Sequence, residues 1–365
     1  MQFDFFPSRT LTLYLGKLFV VRILAVLVML VLVLLMLDLL SSTGKILAVP
    51  GNGQSEILTY AMLRAPQLVA RFLPYSVLLA TIITLVGLNQ NSEVISMKAA
   101  GLSAHQILAP LLLTALVVGI GSFAFNERVV TRASATLKAW DANEFRKVPA
   151  ASGVKTNVFL TDGSGILSAA NVTGSGAETV MTAVTWYRRA PSGAIADQVR
   201  GERAVYANPG WRIEQATRFD VASARSERLE SIVVAPKITP QQVALGSVDP
   251  DAQSFWQLRR SIADFDSAGR RTAEFKAKWW HKLAGPLSSV LMPLLGAVAA
   301  FGLARSGQVL VRAAIGMALG FAYFVVDNAA LAMGNFGGYP PLLAAWAPFL
   351  LFALIGETVL IRTEE

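Results

Sequence analysis

The chain has 365 residues, 54% of them hydrophobic and 15% charged, with a positive mean hydropathy, and that balance excludes an ordinary soluble protein and places it in a bilayer. Its net charge of +8 would suit nucleic acid, but no nucleic-acid motif is present, and in a membrane protein basic residues set topology and meet anionic headgroups. The absence of cysteine excludes disulfides, thiolate nucleophiles and Cys-ligated metals, and the two histidines, His105 and His281, do not make a multi-His metal site.

A spanning helix needs about 20 apolar residues to cross about 30 Å of hydrocarbon. Six runs meet this need, at 18–40, 72–89, 107–125, 283–303, 313–333 and 341–361. The first is too long for the h-region of a signal peptide, and the stretch from Leu40 to Lys45 has no small-x-small cleavage site, so it is expected to stay as a helix. Asp38 in the first run and Asp327 in the fifth are intramembrane carboxylates, which by default mark a bundle interior or a watery cavity; a hydrogen bond to a neighbouring helix is the plainer alternative. Gly316 and Gly320 form a G-x-x-x-G in the fifth run, a close-packing site expected at a seam with a partner.

Basic residues in short flanks set orientation. Arg9, Lys17 and Arg22 put the N-terminus in the cytoplasm, Arg305 and Arg312 put the loop between the fourth and fifth runs there, and Arg362 follows at the C-terminus. Lys45, Arg64 and Arg71 then lie outside, against the rule.

The outer interval, from about 126 to 281, changes texture. A helical stretch at 132–140 is followed by β-branched or alternating runs at 156–160, 180–187, 204–207, 211–221 and 231–235, broken by Asp162-Gly163 and Asn208-Pro-Gly210. Such spacing predicts a sandwich, jelly roll or open barrel. Its apolar strand residues, Val184, Trp186 and Val233 among them, are either a domain core or the lining of a groove. From Phe255 to Lys278 helical spacing returns, and Trp279-Trp280 stand where interfacial aromatics belong. Between the second and third runs, Val94, Met97 and Lys98 fall at helical spacing and Gly101 supplies a stop, so a short amphipathic helix at about 90–104 is expected. It lies on the membrane surface, or it docks into a cytoplasmic partner with Glu93 as an ionic contact.

These residues resemble a known family. Ser92-Glu-Val-Ile-Ser-Met-Lys-Ala-Ala-Gly101 is similar to a stretch of the lipopolysaccharide-export permeases of the LptF/LptG type, with details nearer LptG. Val248-Asp-Pro-Asp-Ala252 resembles the close of their periplasmic domain, Trp280-x-Lys282 with Pro286-Leu287 the start of their fourth helix, and Phe324-Val-Val-Asp327 a motif in their fifth. The resemblance implies an α+β membrane protein of six transmembrane helices (3+3) with an inserted periplasmic β-jelly-roll domain, divided at 1–127, 128–278 and 279–365. It implies the permease subunit of an ABC transporter in the cell inner membrane that extracts lipopolysaccharide from the outer leaflet. The implied partners are a second, LptF-like permease, an LptB-like ATPase dimer, and LptC- and LptA-like jelly-roll proteins. No cofactor and no catalysis in this chain are implied, and none of its Gly-Lys pairs stands in a phosphate-binding loop. Glu93, Val94, Met97 and Lys98 then couple to the ATPase, and Lys45, Arg64 and Arg71 meet lipid phosphates, although Leu35, Ser41, Ser42 and Gln67 stand where some relatives are basic. A secondary transporter needs related halves, which are not visible here, and a receptor with a β ligand domain needs a cytoplasmic output domain, for which the loops leave no room.

Overall fold

The computed structural model describes residues 7–142, 144–146, 155–161, 163–174, 176–190, 193–240, 243, 249–267, 271–301 and 309–362. Helix α1 (Arg9–Leu47) begins where the Ser8 hydroxyl accepts from the Leu11 amide, and its 39 residues extend about 58 Å at 1.5 Å each. It therefore projects beyond the hydrocarbon at both ends, and the expected run at 18–40 is only its middle. Gly51, at φ +94°, turns the chain back into α2 (Gln54–Gln90). The short α3 (Glu93–Ala99) stops as its sequence predicts: Gly101 is left-handed at φ +87°, and the Gly101 and Leu102 amides donate back to the carbonyls of Lys98 and Met97. A capping box of Ser103 and Gln106 opens α4 (Ala104–Phe125), which continues through one π-helical turn, Asn126–Val130, into α5 (Thr131–Ala142).

After the β domain come α6 (Phe255–Ser267), α7 (Ala273–Phe301), α8 (Val309–Asn335) and α9 (Pro341–Arg362). Five described segments are long and apolar enough to cross a membrane: Arg9–Leu47, Gln54–Gln90, Ala104–Asp141, Ala314–Asn335 and Pro341–Arg362. The expected fourth span, 283–303, falls on α7 and ends outside the described residues, as do Arg305 and Val248. Helix α7 packs against α2, α4, α8 and α9. Close approach is possible where side chains vanish: a Cβ on Gly119 of α4 would lie 2.8 Å from the Pro286 carbonyl oxygen, and one on Gly320 of α8 would lie 2.2 Å from a Leu78 methyl of α2. Gly320 thus serves the close helix packing expected of it, here against α2 of the same chain. Outward, α1 presents Leu24, Val28, Leu32, Met36 and Leu40 at four-residue spacing, an apolar face for lipid.

Six strands, β1 (Lys155–Thr161), β2 (Gly165–Thr173), β3 (Val180–Arg189), β4 (Ile195–Tyr206), β5 (Trp211–Asp220) and β6 (Arg225–Val234), form one antiparallel sheet in sequence order. The expected inserted β domain is therefore a six-strand antiparallel sheet with simple hairpin connections and no Greek-key crossing. Its two-layered character comes from a crease. Pairing skips Ala170, Ala183, Glu202, Gln215 and Glu230, one in each of β2 to β6, and Ala183 and Gln215 there take φ of 50°. Ile232 opposes Ile213 on β5, five positions from Arg218 and about 17 Å away in a flat sheet, yet Ile232 and Arg218 line one cavity. The sheet has folded over on itself, enclosing Val158, Leu167, Met181, Val184, Trp186 and Trp211 as a core separate from that of the bundle.

Candidate functional site

The α1–α2 hairpin brings opposing residues together at equal sequence distance from Gly51. Asp38 meets Arg64: the guanidinium Nε and Nη2 donate to its two carboxylate oxygens at 3.1 Å each, a bidentate pair. The Tyr60 hydroxyl donates to Asp38 Oδ2 at 2.8 Å and lies 3.0 Å from the Ser42 hydroxyl, while Arg64 also donates to Gln67 Oε1 at 2.7 Å. Ser42 and Gln67 thus complete an internal network. Two residues assigned to separate sites from sequence, Asp38 and Arg64, neutralise each other, and no signal in either span alone reveals this.

Lys45 and Arg71 are placed differently. Lys45 is exposed in the last turn of α1 and lines an open hollow of about 1060 Å³ with Asn52, Glu56, Glu144 and Arg146. Arg71 is exposed on α2, with no side-chain hydrogen bond or ion pair to a described residue. Beside the hollow, the Asn52 amide donates to the Ile46 carbonyl at 3.0 Å and the Phe145 carbonyl at 2.8 Å. Tyr60, Trp140 and Phe145 pack edge to face behind it. The hairpin is thereby fastened to the base of the β domain.

That base is fastened to α5 and α7 as well. Asp249 pairs with Lys138, and Asp251 accepts from Lys278 at 2.8 Å. Glu127 accepts the Phe255 amide at 2.7 Å, and Trp279 stacks on Phe255. The Asp-Pro-Asp run read as the close of the outer domain is where the chain is tied back to the helices.

Asp327, only 7% exposed, has its Oδ2 3.0 Å from His281 Nε2 on α7, and its Oδ1 has no partner among the described residues. Tyr323 is buried one turn earlier on α8, and the ring of Tyr75 from α2 stacks on Phe324 at 3.8 Å. Sequence reasoning did not find His281, which lies 46 positions away on another helix.

At the opposite end of the bundle, α3 packs against α2 and α4 and buries Val94 and Met97 in the bundle core. They anchor the helix from within. Glu93 accepts a hydrogen bond from the Tyr14 hydroxyl at 3.2 Å, Lys98 is exposed, and Ile95, absent from the sequence reading, is 62% exposed. His105 and Glu357 meet at 3.0 Å nearby, joining α4 to α9.

In the β domain, Asp197 is buried between Arg188 and Arg218. Burial opposes its ionisation, but hydrogen bonds from both guanidiniums outweigh burial and hold its carboxyl below the usual carboxylate range. Among the described residues no group of three or more His, Cys, Asp or Glu is placed to hold a metal.

With the helical bundle, the β domain and the short α3 in place, comparison with known sequences is decisive. Residues 13–362 match the family described as lipopolysaccharide export system permease LptF/LptG. The chain belongs to that family. It is 25% identical over 309 residues to the lipopolysaccharide export system permease protein LptG of Escherichia coli strain K12, covering 83% of this chain and 84% of that one. LptG of Haemophilus influenzae is 23% identical over 327 residues, 86% of this chain and 89% of its own. As an LptF/LptG permease the chain is a multi-pass membrane protein of lipopolysaccharide export, with an α+β fold of membrane helices and an inserted antiparallel β domain.

Proposed function

We propose that this chain is the LptG-type permease subunit of an ABC transporter in the cell inner membrane, with six spans in two groups of three and both termini cytoplasmic. It pairs with a second, LptF-like permease, receives energy from an LptB-like ATPase dimer, and draws lipopolysaccharide from the outer leaflet. The lipid passes into its β domain and on to LptC- and LptA-like jelly-roll proteins. The observation that carries this reading is the family match, which spans both helical groups and the β domain together.

The geometry divides the labour. Arg64 is committed to Asp38, so Lys45 and Arg71 are the outer cations with charge to offer a lipid phosphate. On the cytoplasmic side Val94 and Met97 hold α3 in place, and Glu93, Ile95 and Lys98 meet the ATPase. The double charge reversal K45E/R71E is expected to weaken photo-crosslinking of lipopolysaccharide to α1 about tenfold, as loss of two charge-assisted contacts implies. Unchanged cross-linking would sink the assignment. I95D is expected to release the ATPase on purification while the permease pair stays together; retention of the ATPase would remove α3 as its docking element.

A further inference from the structure

We propose that α6 is an interfacial foot of the β domain, lying along the bilayer surface on that side with Trp256 in the headgroup zone and Arg259 and Arg260 against the phosphates of anionic phospholipid. The inference rests on the membrane reading of the long helices and on none of the partners proposed above.

Aromatic contacts fix the lie of α6. Phe255, its first residue, stacks on Trp279 of α7 at 4.8 Å, and its carbonyl accepts from Trp279 Nε1 at 3.2 Å. Phe265 packs on Phe275 at 4.6 Å. Ten residues of α6, about 15 Å of helix, thus correspond to only four residues of α7, about 6 Å. Because α7 packs among the spans α2, α4, α8 and α9, a helix that climbs so little along it lies close to the membrane plane.

Two markers put that plane at the ends of the spans. A Cβ on Gly334 of α8 would lie 3.3 Å from Ala277 Cβ, and one on Gly337 would lie 3.7 Å from Ala273 Cβ. The apolar segment Ala314–Asn335 therefore ends level with 273–277 of α7, the stretch along which α6 runs. On the other side Phe123, near the end of α4, meets Phe255 at 6.1 Å. In the α8–α9 turn, at the same level, Phe336 is 90% and Tyr339 49% exposed, as aromatic rings are where lipid meets water.

The faces of α6 divide its roles. Phe255, Leu258, Ile262 and Phe265 are buried in the protein, whereas Trp256 is 60% exposed and Arg259, Arg260 and Ala263 are exposed. Steps of four and three residues set Trp256, Arg260 and Ala263 in one row. The apolar face is thus occupied, and a ring and two cations are left to meet the bilayer. Neither arginine has a side-chain hydrogen bond or ion pair to a described residue, while Asp266 is engaged by Thr272 and Lys276. From Phe255 to Lys276 the sequence holds five Arg or Lys against three Asp or Glu, so the balance over the foot stays positive with every carboxylate counted. Arginine lays its stem on apolar surface and offers a planar fork to phosphate, which suits this depth. The foot follows directly on Asp249 and Asp251, which tie the β domain to α5 and α7, so it sets the height at which the domain stands over the bilayer.

The chain has no cysteine, so a single nitroxide on an introduced cysteine reports one place. The full chain carrying A263C, W256C, V221C in the β5–β6 turn or L32C on the lipid-facing side of α1 is labelled and reconstituted into phosphatidylcholine vesicles, with and without a quarter of phosphatidylglycerol; all four positions are exposed. Collisions with oxygen, which enters lipid, and with a water-soluble nickel chelate give the depth of each label. Labels at 256 and 263 are expected between those at 32 and 221, and within about 4 Å of each other in depth, as a nearly flat helix requires. Phosphatidylglycerol is expected to lower nickel access at 263 about twofold, and R259Q/R260Q to remove that response.

Nickel access at 256 and 263 equal to that at 221 overturns the foot and leaves the face to a protein partner. A depth difference of about 10 Å between them, that of an upright helix, overturns it as well. No response to phosphatidylglycerol, or one that survives R259Q/R260Q, overturns the assignment of the arginines to phosphate. A label at 32 as open to nickel as that at 221 would instead overturn the membrane reading itself.

Discussion

Asp38 and Asp327 are both carboxylates in membrane helices, and their surroundings differ. Asp38 joins α1 to α2 through a bidentate guanidinium and a tyrosine hydroxyl, with Ser42 and Gln67 completing the set. Asp327 joins α8 to α7 through one imidazole nitrogen, and its other oxygen has no partner among the described residues. In a medium of low dielectric a completed network fixes geometry, whereas a half-satisfied one leaves a group whose preference depends on small rearrangements. The contrast marks the α1–α2 hairpin as one unit, also bonded to the base of the β domain through Asn52. It marks the α7–α8 contact as the looser joint.

The largest effect that would test this contrast is at Arg64. R64Q leaves the Asp38 carboxylate without its cation in a mostly buried place. Loss of one partner from a buried pair costs about 3 to 5 kcal/mol, and the partial exposure of this pair reduces that to about 2 to 3 kcal/mol. D38N/R64Q removes both charges and is expected to recover at least half, seen as a thermal midpoint between those of R64Q and the wild type. A double variant as unstable as R64Q would show that the loss comes from the missing guanidinium contacts and not from a stranded carboxylate.

The smaller effect is at Asp327. H281A removes its one partner and is expected to destabilise by about 1 to 2 kcal/mol, the cost of an orphaned buried acceptor. D327N keeps an oxygen or amide facing His281 and is expected to stay within about 1 kcal/mol of the wild type. If D327N proved as costly as R64Q, Asp327 would be an ionised anchor like Asp38, and the contrast would break.

How much of this was legible follows from the physics of each part. Long apolar runs are read directly because the bilayer imposes a length, so the spans in α1, α2, α4, α8 and α9 stood out. Strands β2, the first nine residues of β4 and the first six of β6 did not. Gly165, Ala169, Ala170 and Asn171 in β2 and the charged runs in β4 and β6 have low strand propensity, and it is pairing with neighbours that makes them strands. Gly101 as the stop of α3 was legible because only a left-handed residue completes that cap. Val94 and Met97 were placed on the right helix, but periodicity does not say which face meets a partner, and the structure turns both inward. The Asp38–Arg64 pair had a usable signal in hindsight: in an antiparallel helix hairpin, residues equidistant from the turn oppose each other, and Ser42 with Tyr60 obey the same rule around Gly51. His281 and Asp327 have no such signal, since no short turn relates their helices.

Asp197 in the aqueous β domain gives the mildest test of the same idea, because its two guanidiniums satisfy it as fully as Arg64 satisfies Asp38. Burial opposes the ionisation of Asp197, but hydrogen bonds from Arg188 and Arg218 outweigh it and lower its pKa, and the Ser223 amide and hydroxyl lower that of Asp220. A carboxyl whose pKa is depressed by folding stabilises the native state fully above its unfolded value, near 4, and loses that contribution as pH falls through the lower native value. The thermal midpoint of the β domain is therefore expected to be flat from pH 8 to about pH 5 and to drop by about 2 to 4 °C below pH 4. D197N is expected to start lower at pH 7 and to lose less on acidification, so that the two curves converge in acid. Curves that stay parallel throughout would mean that Asp197 is not held ionised by its arginines, and the likeness to Asp38 would fail.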